Sequence, residues 1–344
     1  MANVLDIRRR IRSVKNTLQI TKAMKMVSAA KLRRAQERAL SARPYEQMLT
    51  NVLRSLVSRA ELYDPETGEP RHPLLAKREE KNVLLIVVTG DKGLAGAFNT
   101  NINKAALRFL DSKVGKDVDI ICIGRKGRDF LRRRFPSGRP GEDRAGAVQI
   151  VDERVNILGH LRFEEASEIA ENVIDRFTEG EIDSVYLLYN EFKSVIAQRL
   201  VVDIILPIGE IGVHDAATIL EQTEEERQRA ARAAEGAGVS AFGADTSEVD
   251  RRAAEFATAQ VDYIYEQPPD ELFRALLPRY IGGEVYRAMM ESWAAFNAAQ
   301  MTAMDAATSN ASDMIDRLTL VMNRVRQAKI TKEIIEIVSG AAAQ

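Results

Sequence analysis

Residues 2 to 43 and 284 to 339 contain neither Gly nor Pro, and both runs are rich in Ala, Leu, Met, Lys and Arg. These are good helix formers, so the chain is committed to a long helix at each end. The second run has 56 residues. As a helix it would reach ~84 Å, farther than a globular domain requires. Val4, Ile7, Ile11, Val14 and Leu18 step by alternating threes and fours, the spacing of a coiled-coil seam. Continued, the same count gives Thr21, Lys25, Ser28, Leu32, Ala35, Ala39 and Ala42, so the seam turns polar and then small. Pro44 is expected to break or kink this helix before Leu49, Val52 and Leu56 resume it. In the terminal run Ala311, Met314, Leu318, Val321, Val325, Ala328 and Ile335 fit the same steps, with Lys332 interrupting. Two such helices in one chain most simply pair antiparallel, and small seam residues let their backbones approach closely.

The seam leaves apolar residues over. Ile20, Met24, Met26 and Val27 wrap around the first helix beside Lys22, Lys25 and Lys31, so some of them must face another partner. The charge is segregated in the same way. Residues 1 to 43 hold twelve Lys or Arg against Asp6 and Glu37, a net +10, whereas residues 210 to 257 carry a net −6. An arm this basic calls for acidic company: nucleic acid, anionic lipid or an acidic protein surface. No stretch approaches the roughly 20 apolar residues of a membrane span. The one cysteine, Cys122, excludes an internal disulfide framework, and His72, His160 and His214 have no metal-ligand spacing.

Between the ends the pattern changes to strand, Gly-containing turn, helix. Strands are expected at 83–88, 119–123 and 184–188, with another ended by Pro207. Alternation of this kind implies a mostly parallel, Rossmann-like sheet with covered faces. "GDKGLAG" is neither a dinucleotide fingerprint nor a phosphate-binding loop. Lys92 and the following helix N-terminus could hold an anion, but a tight strand-to-helix turn requires glycines in any case. No nucleophile–base or paired-carboxylate constellation emerges, so neither a catalytic residue nor a cofactor or metal site is expected. The sequence therefore divides into a helix at 1–60, an α/β domain at 80–208, an acidic and mobile insertion at 209–258, and a second long helix at 270–344.

"IRRRIRSVKNTLQITKAMKMVSAAKLRRAQ", "TGDKGLAGAFN", "LLYNEFKSVIAQ", "LLPRYIGGEVYRAMMES" and "MTAMDAATSNASDMIDRLTLVMNRVRQAKITKEIIEIVSGAAA" together resemble the gamma subunit of F-type ATP synthases. The likeness spans nearly the whole chain apart from the acidic insertion. It implies an antiparallel coiled coil standing inside a ring of three alpha and three beta subunits. It also implies an α/β domain outside the ring, beside the epsilon subunit and on the membrane-embedded c-ring. Such a chain is a non-catalytic rotor that couples proton flow to ATP synthesis or hydrolysis on beta. Carried over from "ITKAMKM" and "RQAKITKE", the expected ring contacts are Lys22, Met24, Arg326, Gln327, Thr331 and Glu333. Where the family usually has an Arg near the start of its long C-terminal helix, this chain has Gln300, which puts a charge-assisted contact at that level in doubt. The insertion holds no Cys, so no thiol switch can operate there.

The seam begins at Val4, leaving no removable extension; a bacterial chain, peripheral on the cytoplasmic side of the inner membrane, is expected. Two rival readings are a nucleic-acid-binding coiled coil and a Rossmann-like enzyme with helical arms. Against the first, residues 1 to 44 hold no Phe, Tyr or Trp.

Overall fold

A computed structural model describes residues 4–57, 70, 72–136, 146–209, 217–241 and 266–342. Helix α1, Val4–Val57, and helix α6, Pro269–Ala342, are the two long elements and pack against each other. Both run through an internal proline, Pro44 in α1 and Pro278 in α6. The expected break at Pro44 is therefore absent: continuous packing of Leu49, Leu53 and Leu56 beyond it holds the helix together.

The base is a six-stranded sheet in the order β3-β2-β1-β4-β5-β6. Its strands are β1 Asn82–Val88, β2 Asp117–Ile123, β3 Val148–Arg154, β4 Ser184–Ser194, β5 Ala197–Leu206 and β6 Ala217–Glu221. β3, β2, β1 and β4 run parallel, with β5 and β6 added antiparallel at one edge. Buried on both faces, β1 reads "NVLLIVV", a continuous apolar run rather than an alternation. Leu84, Ile86 and Val88 face α4, Phe163–Thr178, together with the first turns of α6 and the end of α1. Val83, Leu85 and Val87 face α2, Phe98–Ser112, and belong to the cluster that α3, Arg125–Arg134, joins through Leu131.

One helix thus serves two structures. Residues 273 to 290 of α6 form part of the sheet domain's core, and from residue 294 onward α6 packs on α1 as half of the coil. Trp293 stands at the changeover and packs against the edges of all three apolar clusters. Its ring stacks on Phe296 at 5.7 Å, and Phe296 meets Phe98 of α2 edge-on at 5.5 Å. Gly90, after β1, makes this approach possible, since a Cβ there would lie 2.5 Å from the Phe296 ring. The glycine of the "GDKGLAG" turn thereby serves helix packing.

The described part of the acidic segment differs from a mobile loop. "TILE" belongs to edge strand β6, paired with β5. Helix α5, Glu224–Glu235, starts with a Thr223–Glu226 capping box. Its Ala230, Ala233 and Ala234 pack against Ala29, Leu32 and Ala35 of α1 and Ala294, Ala298 and Met301 of α6. Charged residues cover its outer side, which is why composition alone conceals the alanine stripe.

Candidate interaction surface of the paired helices

Along α1 the three–four progression falls on the inner side. Ile7, Ile11, Thr21, Lys25, Ser28, Leu32 and Ala35 are buried, with Val4, Val14, Leu18, Ala39 and Ala42 half-buried. On α6 the inner line runs Met301, Met304, Thr308, Ala311, Ile315, Leu318, Met322 and Val325. Of the expected positions, Ala311, Leu318 and Val325 lie on it; Met314 and Val321 are exposed and their neighbours Ile315 and Met322 take the places, and Ala328 and Ile335 are exposed beyond it. Adjacent apolar pairs made the two assignments indistinguishable by spacing.

Three polar rungs cross the coil where the seam loses its large apolar residues. The Thr308 hydroxyl donates to Thr21 Oγ1 at 2.8 Å, Lys25 Nζ donates to Asp305 Oδ1 at 2.6 Å, and the Ser28 hydroxyl donates to Gln300 Oε1 at 2.9 Å. Such pairs fix the register of two helices that apolar contacts alone would allow to slip. Gln300, buried, also donates to the Gly93 carbonyl at 3.4 Å and so ties the coil to the β1–α2 turn. Its role in this chain is internal, which accounts for a neutral side chain there.

The register has a further result. With Thr21 opposite Thr308, the start of α1 stands opposite about residue 325, so residues 326–342 of α6 continue alone. Those 17 residues extend ~25 Å past the pair. From Arg326 to Ser339 every residue is exposed, including Ile330, Ile334, Ile335, Ile337 and Val338. On α1, Ile20, Met26 and Val27 are likewise more than half or half exposed, at 59%, 55% and 50% for Ile20, Val27 and Met26. An isolated helix this apolar is poorly stable in water and needs a housing. Met26 is thus not core, and Met24 is half-buried.

The six sequence-nominated residues fall into two groups. Lys22 and Met24 lie midway along the coil, Lys22 exposed. Arg326, Gln327, Thr331 and Glu333 are all exposed on the unpaired tip, where Glu333 pairs with Lys329 at 3.6 Å. The structure does not bring the two groups together. Sequence reasoning missed Asp305 and Trp293: the first becomes visible only once the register is known, the second only once α6 is seen to enter both halves.

At the root of the coil, Arg287 of α6 lies among Glu284, Glu291, Asp203 and the Tyr189 hydroxyl. Burial lifts the Glu291 carboxyl to about 7, against the pull of the Arg287 guanidinium. This network anchors α6 to β4 and β5. Among the described residues no group of His, Cys, Asp and Glu is placed to hold a metal, and no helix is long and apolar enough to cross a membrane.

A stiff two-helix rod, rooted in an α/β base and ending in an unpaired apolar tip, defines a stalk-type subunit. The chain belongs to the ATP synthase family, whose model matches residues 3–344, and within it to the gamma chains. It is 48% identical over 343 residues to the ATP synthase gamma chain of Solibacter usitatus (strain Ellin6076), covering 100% of this chain and 99% of that one. It is 41% identical over 350 residues to the ATP synthase gamma chain of Chloroherpeton thalassium (strain ATCC 35110 / GB-78), covering 100% and 98%. In fold it is similar to a chain of the Euglena gracilis mitochondrial ATP synthase (OSCP/F1/c-ring, rotational state 3), with 17% identity, a TM-score of 0.54, and 99% of this chain and 94% of that one covered.

Proposed function

We propose that this gamma chain is the central-stalk rotor of a proton-driven ATP synthase, turning inside a ring of alpha and beta subunits. The carrying observation is the unpaired, wholly exposed apolar end of α6, which a ring lumen would house. A single asymmetric rod presents different faces to chemically alike sites around it, and so biases each toward a different nucleotide affinity. The chain performs no chemistry itself. Lys22 and Met24 contact the ring midway along the rod, and Arg326, Gln327, Thr331 and Glu333 contact it at the tip. The α/β base, with the epsilon subunit, sits on the c-ring, peripheral to the inner membrane on the cytoplasmic side. The acidic segment that carries α5, held on the coil by that helix, restrains rotation in one direction or engages epsilon through its negative charge. Family membership supersedes the nucleic-acid reading of the basic arm.

Co-expression with candidate alpha and beta subunits tests the reading. A nucleotide-hydrolysing particle with one copy of this chain is expected; a ring that assembles and never retains the chain would refute it.

A further inference from the structure

A cavity of about 420 Å³ opens where the coil meets the base. Two separate chain segments bring cations to it, Lys31, Arg34 and Arg38 from α1 and Lys92 from the β1–α2 turn, and His160 from the link before α4 completes the wall. Its floor is aromatic and apolar, with Trp293 and Phe296. Lys31 Nζ stands 5.7 Å over the Trp293 ring. Among the described residues, no carboxylate lies within ion-pair distance of Lys31, Arg34, Arg38 or Lys92. The one acid in the wall, Asp91, is engaged elsewhere: its Oδ1 accepts from the backbone N–H groups of Arg125 at 3.1 Å and Asn156 at 2.9 Å.

A basic helix face alone is ordinary in a coiled coil. Cations converging from two segments on one concavity are different, because the positive potential they share there favours an anion. The cavity lies beyond the carboxyl ends of the parallel strands β1 and β3, the end of the sheet at which α/β folds bind ligands. We propose that it binds a multiply charged phosphate oxyanion, with Lys31, Arg34, Arg38 and Lys92 as the phosphate-holding groups. The N-terminal turn of α2 takes no part, since Ala95 to Phe98 line a different cavity. The Trp293 ring is already engaged by Phe296 and by Lys31, so the cations rather than base stacking provide the affinity.

Trp293 is the chain's single tryptophan and lines the cavity, so its fluorescence reports occupancy directly. The full chain is titrated with inorganic tripolyphosphate and, separately, with ATP. Saturable quenching or enhancement is expected with tripolyphosphate. Tighter binding of ATP would show that the source is a nucleotide whose base uses the floor; equal or weaker binding would show that phosphates alone are read. The Arg34→Gln/Arg38→Gln variant is expected to weaken binding about tenfold or more. The Arg8→Gln/Arg9→Gln variant removes the same charge from an exposed stretch of α1 outside the cavity and is expected to change binding less than about twofold. Absence of a saturable response to both ligands, or equal weakening in the two variants, would overturn the proposal.

Discussion

Replacing Gly90 with Ala tests the close contact between rod and base at Phe296. The added Cβ would lie 2.5 Å from Phe296 Cε2, 2.6 Å from Cδ2 and 3.2 Å from Asn99 Oδ1. Carbon pairs rest at about 3.5–4.0 Å, so the ring would have to retreat about 1 Å. It has little room: Phe296 is buried, stacked on Trp293 and edge-on to Phe98. Overpacking of this kind costs about 1–3 kcal/mol, and disturbing one aromatic pair adds about 0.5–1.5 kcal/mol. Gly90→Ala should therefore destabilise the chain by about 2–4 kcal/mol in urea unfolding followed by far-ultraviolet circular dichroism. Phe296→Ala alone should cost about 3–5 kcal/mol through the cavity it leaves. With the ring gone the methyl group has space, so the double variant should be little worse than Phe296→Ala, a coupling of about 2–4 kcal/mol. Additive losses in the double variant would refute the steric reasoning.

Three further outcomes are expected. Asp305→Ala leaves Lys25 buried without its partner; Asp305 is 35% exposed, so the loss is about 1–2 kcal/mol, below the cost for a fully buried pair, and larger than for the exposed Asp313→Ala in the same thermal melt. Burial alone would raise the Glu80 carboxyl, but hydrogen bonds from Lys113, Lys116, Ser184 and Tyr186 outweigh it and bring it down to about 2. A carboxyl depressed on folding contributes stability above its unfolded value, near 4.5, and loses it as pH falls toward about 2; unfolding midpoints across that window should decline less steeply in Glu80→Gln than in the parent chain. Ala233→Glu, at a fully buried position, should lift α5 off the coil and alter ATP hydrolysis by the assembled complex, whereas unchanged rates with and without a proton gradient would dismiss a restraining role for the segment.

Much of the rod could be read in advance because a coiled coil writes its packing directly into residue spacing. Every position counted from Val4 to Ala42 proves buried or half-buried, polar ones included. The count failed on α6 at Met314 and Val321, where the next residue is also apolar and only the facing helix decides, and at Ala328 and Ile335, which lie where no helix faces them. The base was legible where strands are central and apolar, as in β1 and β2, and illegible at its edges. β3, "VQIVDER", and β6, "ATILE", carry too many polar residues to announce themselves. Pro44 misled because helix-breaking is a local tendency, and tertiary packing around Leu53 overrides it. The nominated contact residues lay within recognisable motifs, but the overhang that isolates Arg326 to Glu333 depends on the register between the chain's two ends, which no local pattern encodes.

Because α6 passes from the sheet into the coil as one unbroken helix, the molecule has no articulated joint between body and shaft. Angular displacement applied to the body is inherited by the free end with only the elastic compliance of the helices to delay it. Any lag between the two, and any energy held transiently as twist, must therefore reside in the paired helices themselves.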